Sequence, residues 1–439
     1  MTLRFGTDGV RGVANVDLTP ELVVALGRAA ARVLGSSRFV IGRDTRASGP
    51  LLESALAAGL AAEGAAVERL GVIPTPGVAW ASAAEGIAGA MISASHNPAQ
   101  DNGIKLFAAG GRKLPDEVEE RLEAELDRLL HGGPTGGPAL GPIGDRPDVR
   151  ERWCDALVET LEGRRLDGLR VAIDCAHGAA SPVAGDVLAR LGALVEVVHA
   201  EPDGANINEG AGSTHPEMLQ RVVVETGAAV GLAFDGDADR VLAVDADGQL
   251  VDGDHLIAMC AIDLRDRGRL SDNTVVVTVM TNLGFRLSMA EKGIAVVETQ
   301  VGDRYVLEAM ENGGYSLGGE QSGHVIFREL ASTGDGLLTG LQVLDLVQRS
   351  GRALADLAGE AMTQLPQVLR NVRTTVRHPD PAGALAAEIK AVEDELGERG
   401  RVLVRPSGTE PVVRVMVEAP SAELADAAAA RLVAAVERL

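Results

Sequence analysis

Residues 88–98 read AGAMISASHNP, an apolar run that ends in serines, a histidine, an asparagine and a proline. The run at 88–92 predicts a buried strand, and Asn97-Pro98 disfavours both a helix and continued strand pairing. Ser95 is therefore expected on a turn just beyond a strand end, where hydroxyl groups often meet ligands. Taken alone, the stretch is more typical of a turn whose Ser and Asn bond their own backbone.

Strands and helices alternate on both sides of this turn. Thr19-Pro20-Glu21 is typical of a helix start, Gly35 of its end, and a strand is predicted at 39–41. The same rhythm recurs to about residue 366, after which one strand, one helix, two strands and a last helix follow. The predicted fold class is therefore α/β, with three related α/β domains containing mixed sheets and a smaller C-terminal α+β domain.

Gly and Pro concentrate at 131–148, which reads HGGPTGGPALGPIGDRPD. We expect a linker without packed elements here. The predicted domains are 1–150, 151–253, 254–366 and 367–439. Each presents one unusual loop, and loops beyond the carboxyl ends of parallel strands can converge on one cleft.

The composition is that of a globular protein too long for a single core, with 439 residues of which 46% are hydrophobic. A run of 18 apolar residues and a signal-peptide pattern are both absent, so we expect a cytoplasmic protein. The net charge of -22 opposes nucleic acid or an anionic membrane as partner. Cys154, Cys175 and Cys260 are scattered, which indicates core residues rather than disulfides or zinc ligands.

Three carboxylates alternate in Asp235-Gly236-Asp237-Ala238-Asp239-Arg240, directly after an apolar strand. In extended chain they would lie on one side about 7 Å apart. Such oxygen ligands suit Mg²⁺, whereas an EF-hand is excluded because its required Gly and Glu positions hold Arg240 and Ala246. A solvated acidic turn is the alternative.

Other loops carry cations and hydroxyls. Arg405-Pro406-Ser407-Gly408-Thr409 resembles a phosphate cradle, although a plain β-turn has the same composition. Gly319-Glu320-Gln321-Ser322-Gly323-His324 offers groups for sugar hydroxyls and for proton exchange, and a lone loop His is also often structural. Either Arg11 or Lys105 could steady a phosphoryl group.

Several common signatures are missing from the sequence. It contains neither G-x-x-x-x-G-K-[ST], nor G-x-G-x-x-G after a strand, nor a G-x-S-x-G elbow. Nucleotide hydrolysis, dinucleotide redox chemistry and α/β-hydrolase chemistry therefore lose their main support.

Five stretches in order, FGTDGVRG, SASHNP, DGDADR, GEQSGH and RPSGTEP, together resemble the α-D-phosphohexomutases over the whole chain. Their form is most similar to the branch that acts on glucosamine phosphates. The resemblance implies a heart-shaped enzyme of four domains with its active site in a central cleft. It also implies interconversion of glucosamine 6-phosphate and glucosamine 1-phosphate, through a sugar bisphosphate, in UDP-N-acetylglucosamine precursor synthesis.

The resemblance also assigns residues, whereas the residues alone leave Ser93 and Ser95 as equal candidates for the nucleophile. It implies Ser95 as a phosphoserine, with Lys105, His324 and Arg11 in proton transfer and charge stabilisation. Some relatives carry His where Asp303 stands, so proton-transfer roles in that loop are not transferred. The metal ligands implied are Ser95, Asp235, Asp237 and Asp239. The substrate ligands implied are Glu320, Ser322, Arg405, Ser407, Gly408 and Thr409, with assistance from Arg414.

One Mg²⁺ per active site and a hexose 1,6-bisphosphate activator follow from the same resemblance, as does a small sugar phosphate as the partner. We expect a monomer or homodimer. The alternatives are a phosphomannomutase or phosphoglucomutase, a metal-dependent sugar-phosphate phosphatase and a noncatalytic sugar-phosphate sensor.

Overall fold

A computed structural model describes residues 9–132, 139–406 and 411–439. These residues form two compact units. One unit comprises the chain up to Val279 together with Val297–Ala358. The other comprises Met280–Val296 and Gly359–Leu439.

The first α/β segment is built around a seven-stranded sheet of order β1-β5-β4-β2-β3-β7, with β6 paired to β5. Strands β2, β3, β4 and β7 are parallel, while β5 runs antiparallel to both β1 and β4. The elements are β1 (Val10–Val13), α1 (Pro20–Leu34), β2 (Arg38–Arg43), α2 (Gly49–Ala62), β3 (Ala66–Val72), α3 (Thr75–Glu85), β4 (Ala88–Ile92), β5 (Asp101–Ala108), β6 (Arg112–Lys113), α4 (Asp116–Leu130), β7 (Ile143–Asp145) and α5 (Asp148–Glu159).

Helix α1 shows how local sequence sets these bounds. The Thr19 hydroxyl accepts a hydrogen bond from the Leu22 amide at 3.3 Å, and Pro20 fills the first turn, where its missing N–H costs nothing. Gly35 ends the helix at φ 61°, in the left-handed region. The predicted boundaries of this helix are confirmed.

The second segment carries a five-stranded sheet of order β12-β11-β10-β8-β9, in which β8, β9 and β10 are parallel. Its elements are β8 (Arg170–Asp174), α6 (Ala184–Arg190), β9 (Leu194–Val198), α7 (Glu217–Thr226), β10 (Val230–Phe234), β11 (Val241–Asp245) and β12 (Leu250–Val251). A hairpin turn at Asp247-Gly248 joins the last two strands.

The third segment has a four-stranded sheet of order β14-β13-β15-β16. Its elements are α8 (Gly253–Asp266), β13 (Thr274–Thr278), α9 (Leu283–Glu291), β14 (Ala295–Thr299), α10 (Asp303–Gly313), β15 (Leu317–Gly319), β16 (Val325–Phe327), α11 (Gly336–Ser350) and α12 (Leu354–Ala361).

The C-terminal segment is an antiparallel sheet of order β17-β19-β18. Its elements are β17 (Gln367–Arg373), α13 (Pro381–Ala384), α14 (Ala386–Leu396), β18 (Arg401–Pro406), β19 (Val412–Glu418) and α15 (Ala422–Val436). Short 3₁₀ helices occur at Gly212–Thr214, Ser271–Asn273 and Gly397–Arg399. The α/β class and the α+β character of this last segment are confirmed.

The linker expected at 131–148 was wrong in detail. It contains β7, which pairs with β3 because main-chain bonding needs no apolar side chains. Helix α5 follows immediately and was not predicted. Residues 336–361 form two helices rather than one continuous run, because Gly351 ends α11 at φ 64°. The three cysteines are buried, as expected.

Candidate functional site

Three of the loops singled out in the sequence follow strands of the first unit. The serine loop, residues 93–98, follows β4, the aspartate loop, residues 235–240, follows β10, and the GEQSGH loop follows β15. Each strand is fully buried and apolar, so the polar side chains lie in the loop that follows it. Loops at the carboxyl ends of strands therefore supply the polar groups of this site.

Ser95 adopts φ 54°, a left-handed conformation that is uncommon for a residue with a β-carbon. Its Oγ donates to Asp235 Oδ2 at 2.6 Å, and the residue is 1% exposed. Ser93 Oγ instead donates to Asp44 Oδ2 at 2.6 Å and accepts the Ser95 amide at 2.9 Å. The two serines that the residues alone could not separate therefore differ, since one faces the aspartates and the other supports the loop.

The aspartate loop is a turn rather than the extended segment expected from its alternation. The Ala238 amide donates to the Asp235 carbonyl at 3.0 Å, and Ala238 has φ 54°. This turn brings oxygens of Asp235, Asp237 and Asp239 within 4.8 Å of one another. The spacing of about 7 Å was wrong because a turn folds alternate residues together instead of spreading them along a strand.

The three buried carboxylates shift one another's titration. Burial, together with the charges of Asp239 and Asp237, raises the pKa of Asp235 well above its usual range. Burial alone would also raise the pKa of Asp239, but Lys105 and His324 beside it outweigh burial and hold that pKa well below its usual range.

Lys105 is the cation at the centre of this cluster. It is 3% exposed on the antiparallel strand β5, and its Nζ donates to Asp237 Oδ2 at 2.7 Å and to Asp239 Oδ2 at 3.3 Å. Thr75, at the start of α3, donates its hydroxyl to Asp237 Oδ2 at 2.6 Å. No local sequence pattern marks Thr75 beyond its place at a helix start.

The aspartate cluster has the properties of a cation site. Asp237 Oδ1 is buried and lacks a hydrogen-bond partner among the residues that the structure describes. Lys105, Arg240 and His324 lie beside Asp239. The Asp237 oxygen without a partner and the neighbouring carboxylates remain costly in a buried place unless a cation binds. Closely spaced carboxylate oxygens suit Mg²⁺, so the residues fit this ion.

His324 lies between two acidic side chains. Its Nδ1 is 3.7 Å from Asp239 Oδ1, and its Nε2 is 3.4 Å from Asp303 Oδ2. Burial would lower the pKa of His324, but Asp239, Asp303 and Glu320 outweigh it and raise the pKa. Asp303 also pairs with Lys113. These contacts with acidic side chains favour the protonated form of His324.

Cations also surround His96, the exposed residue after Ser95. The Arg240 guanidinium lies 2.7 Å from His96 Nδ1. Burial, Arg240 and Arg11 lower the pKa of His96. Arg11 lies on β1 opposite Gly103 of β5, where an added β-carbon would meet the Arg11 side chain at 3.0 Å.

In the GEQSGH loop, Glu320 is half-buried and its Oε1 accepts the Gly302 amide at 3.1 Å. Ser322 is exposed. Gly323 has φ 90°, and a β-carbon there would meet the Val241 carbonyl at 2.1 Å, so only glycine fits this turn. The loop thus leaves a carboxylate and a hydroxyl available for a ligand.

Arg405 and Arg414 belong to the second unit. They face each other on adjacent strands β18 and β19. Burial and the charge of Arg414 lower the pKa of Arg405. Within the described ranges, neither guanidinium has a carboxylate at ion-pair distance, an arrangement that favours an anion. The predicted ligands Ser407, Gly408 and Thr409 lie outside the described residues.

A polar group behind the serine loop was not predicted from the sequence. Asp44 and Arg46 are both fully buried, and Arg46 Nε donates to Asp44 Oδ2 at 2.9 Å. They follow β2, the neighbour of β4 in the sheet. Polar residues after adjacent parallel strands meet at one edge, and that rule could have found this pair.

Comparison with known families matches all four segments. The models of phosphoglucomutase/phosphomannomutase α/β/α domains I, II and III match residues 2–131, 151–248 and 252–365, and the C-terminal domain model of the same family matches 355–435.

The chain belongs to the phosphoglucomutase/phosphomannomutase family. This membership makes it a phosphohexomutase, an isomerase whose fold has four domains.

Curated relatives in this family are similar over nearly their full length. Phosphoglucosamine mutase of Frankia alni is 55% identical over 450 aligned residues, covering 99% of this chain and 98% of the relative. That of Rhodococcus jostii is 54% identical and covers 96% of each chain. A crystal structure of a phosphoglucomutase/phosphomannomutase family protein from Burkholderia thailandensis superposes with a TM-score of 0.83, at 26% identity over 98% of this chain and 97% of the other.

Among the helices that the structure describes, none is both long enough and apolar enough to cross a membrane.

Proposed function

We propose that the chain is a phosphoglucosamine mutase that interconverts glucosamine 6-phosphate and glucosamine 1-phosphate, in UDP-N-acetylglucosamine precursor synthesis. The full-length relatives that carry this name support the choice of sugar. One observation carries the chemistry: the Ser95 hydroxyl lies 2.6 Å from an aspartate of a buried cluster that also contains Lys105. A nucleophile beside a cation site suits phosphoryl transfer.

In the proposed reaction, Ser95 begins as a phosphoserine. A hydroxyl oxygen of the sugar phosphate bonds to phosphorus and the bond from phosphorus to Ser95 Oγ breaks. The sugar hydroxyl proton passes to a base, and Ser95 Oγ takes up a proton. The resulting bisphosphate reorients, and Ser95 Oγ gives its proton to the base as it bonds to the other phosphorus. The bond between that phosphorus and the sugar oxygen breaks, and this oxygen takes up a proton.

We assign the proton transfer and charge stabilisation to Lys105, His324 and Arg11. Lys105 contacts two of the aspartates, and the acidic neighbours of His324 raise its pKa, which favours the form that can donate a proton. Arg11 would stabilise charge on the phosphoryl group. Which of them removes the sugar proton is a question for pH profiles of the variants.

Ser95, as its phosphate, together with Asp235, Asp237 and Asp239 would hold one Mg²⁺ per site. When bound, this ion would neutralise charge on the phosphoryl group and align it for transfer. A hexose 1,6-bisphosphate would restore an enzyme that has lost its phosphate to water.

Substrate binding is assigned to two further groups. Glu320 and Ser322 would bind sugar hydroxyls. The phosphate that is not transferred would be held by Arg405, Ser407, Gly408, Thr409 and Arg414. A cross-strand pair of arginines without an acidic partner among the described residues supports a phosphate contact. Since both substrates must fit in two orientations, contacts to phosphate and hydroxyls serve better than contacts to one ring face.

The remaining expectations stay predictions. They are a monomer or homodimer, a cytoplasmic location and a heart-shaped arrangement of four domains bounded near residues 150, 253 and 366.

Assays of the purified chain test this proposal. With Mg²⁺ and a trace of glucose 1,6-bisphosphate, glucosamine phosphates should turn over faster than glucose or mannose phosphates, with little release of inorganic phosphate. Faster turnover of mannose or glucose phosphate would assign a phosphomannomutase or phosphoglucomutase. Stoichiometric phosphate release without isomerisation would indicate a phosphatase, and binding without turnover would indicate a sensor.

A further inference from the structure

The main chain of the serine loop is held by a buried guanidinium. Arg46 is 0% exposed, and its terminal nitrogens donate to the carbonyls of Ser95 at 3.0 Å, Asn97 at 2.8 Å and Asp101 at 3.0 Å, as well as to that of Pro98. Four main-chain carbonyls in and just after the serine loop thus accept hydrogen bonds from the Arg46 guanidinium. A planar fork with five N–H donors is the side chain suited to this task.

A second side chain reaches the same atoms from another segment. Asn208 is 8% exposed, and its Nδ2 donates to the Ser95 carbonyl at 2.9 Å and to the Asn97 carbonyl at 3.0 Å. Arg46 belongs to the first α/β segment and Asn208 to the second. Two carbonyls of the serine loop therefore each accept hydrogen bonds from both residues.

The hydrogen bonds from Arg46 and Asn208 act on a residue whose backbone conformation is unfavourable. Ser95 has φ 54°, a conformation that costs a residue with a β-carbon roughly 1 kcal/mol or more unless its surroundings hold it. The peptide after Ser95 is held by its carbonyl, and the peptide before it is held by its amide, which donates to Ser93 Oγ at 2.9 Å. The direction of the Ser95 side chain is thereby fixed from both sides.

The contacts also suit a side chain that changes charge. If Ser95 alternates between hydroxyl and phosphate, its own contact with Asp235 cannot be kept in both states, because a phosphate adds about two negative charges. Main-chain carbonyls do not change during the cycle. Donors that act on them can hold the loop equally well before and after transfer.

We propose that Arg46 and Asn208 form a carbonyl clamp, which positions Ser95 for phosphoryl transfer without touching the substrate. The inference rests on the proposed role of Ser95 as phosphate carrier. Asp44 completes the clamp, since it balances the charge of Arg46 at 2.9 Å and accepts the Ser93 hydroxyl at 2.6 Å. The clamp residues are positioning residues, and their effect is on the transfer step.

The test compares two asparagines of one loop in the full-length protein. Asn208→Ala removes both hydrogen bonds that Asn208 Nδ2 donates to the serine loop. Asn206→Ala is the matched control, because Asn206 Nδ2 donates at 3.0 Å to Glu201 within its own loop. Each enzyme is first phosphorylated with glucose 1,6-bisphosphate, and transfer to glucosamine 6-phosphate is then followed in a single turnover.

In Asn208→Ala we expect transfer and kcat to fall together by roughly 10- to 100-fold, as a small misplacement of a reacting atom does. KM should stay within about twofold, because substrate contacts are unchanged. Asn206→Ala should behave as the unchanged protein does. Asn208→Asp has the same shape but no N–H donor, so it should lose at least as much activity as Asn208→Ala.

Three results would overturn the clamp: normal transfer in Asn208→Asp, a raised KM at normal kcat in Asn208→Ala, or a loss in Asn206→Ala as large as in Asn208→Ala. Mass spectrometry of the unchanged protein separates this from failure of the proposed function. If that protein carries no transferable phosphate on Ser95, the function is wrong. If it transfers phosphate and Asn208→Ala does so at the same rate, only the clamp is wrong.

Discussion

Two buried charged groups lie close together in the chain's first unit, and they are balanced very differently. Asp44 and Arg46 are both 0% exposed and paired at 2.9 Å, and the guanidinium's remaining donors reach main-chain carbonyls. The aspartate cluster holds three carboxylates, and although Lys105 pairs with two of them, the buried Asp237 Oδ1 lacks a hydrogen-bond partner in the described part of the chain.

The difference separates a structural from a functional use of buried charge. A buried ion pair whose N–H donors all have acceptors holds the backbone around it in place. Removing either partner leaves an unpaired charge in the protein interior. An unbalanced cluster destabilises the metal-free fold, and it is retained where a cation and a reacting phosphate complete it. Substitutions of the same type should therefore have opposite effects in the two places.

The largest effect is expected at the serine that connects the two groups. Ser95→Ala should lower mutase turnover by at least about 1,000-fold, because a covalent carrier has no substitute. Ser93→Ala should retain far more activity, since the Ser93 hydroxyl supports the loop and faces Asp44. Steady-state assays with thermal melting check this, and near-normal turnover of folded Ser95→Ala would remove Ser95 as carrier.

Breaking the balanced pair should cost stability. Asp44→Asn leaves the buried Arg46 without a counter-charge, so the free energy of unfolding should fall by about 3–5 kcal/mol. Urea denaturation measures it, with Asp247→Asn in an exposed turn as control. A loss below about 1 kcal/mol would mean that the pair is not the structural group described above.

Asp335 is a third kind of buried carboxylate, because it caps α11 by accepting the Leu338 amide at 2.9 Å. Burial raises its pKa to about 7. A folded pKa above the unfolded value contributes stability that is complete below about pH 4 and is lost as pH rises to about 7.

Asp335→Asn keeps a side-chain oxygen that can accept the Leu338 amide, but it removes the ionisable carboxyl group. The free energy of unfolding of the variant, relative to the unchanged protein, should therefore increase by a few kcal/mol between pH 4 and pH 8. Urea denaturation in chelator across this range measures the difference. Parallel pH curves for the two proteins would contradict a raised pKa at Asp335.

The smallest effect is expected from relieving the unbalanced cluster. Burial and its acidic neighbours raise the pKa of Asp235, so its stability contribution is also lost as pH rises. In chelator at pH 8, Asp235→Asn should be more stable than the unchanged protein by about 1 kcal/mol.

With added Mg²⁺ the unchanged protein should become more stable than Asp235→Asn, because the ion stabilises only the protein that binds it well. Thermal melting with and without Mg²⁺ measures both arms. A destabilised variant in chelator, or equal stabilisation of both proteins by Mg²⁺, would show that the cluster is not an unbalanced cation site.

Much of the architecture could be read from local patterns. Thr19, Pro20 and Gly35 set the bounds of α1 through capping and backbone conformation, which act within a few residues. Strands β4 and β10 begin and end where their apolar runs do. Strand β7 could not be found in this way, because it is three exposed residues held by pairing with β3.

The order of elements, the five stretches that resemble one family and the residue types at the site can all be read from the sequence. Tertiary contacts are needed to establish which serine faces the aspartates, how the alternating carboxylates converge and which distant side chains hold the serine loop. These groups are far apart along the chain. Ser95 meets Asp235 across 140 residues and Asn208 across 113, and such contacts depend on how sheets and turns place strand ends rather than on any local pattern.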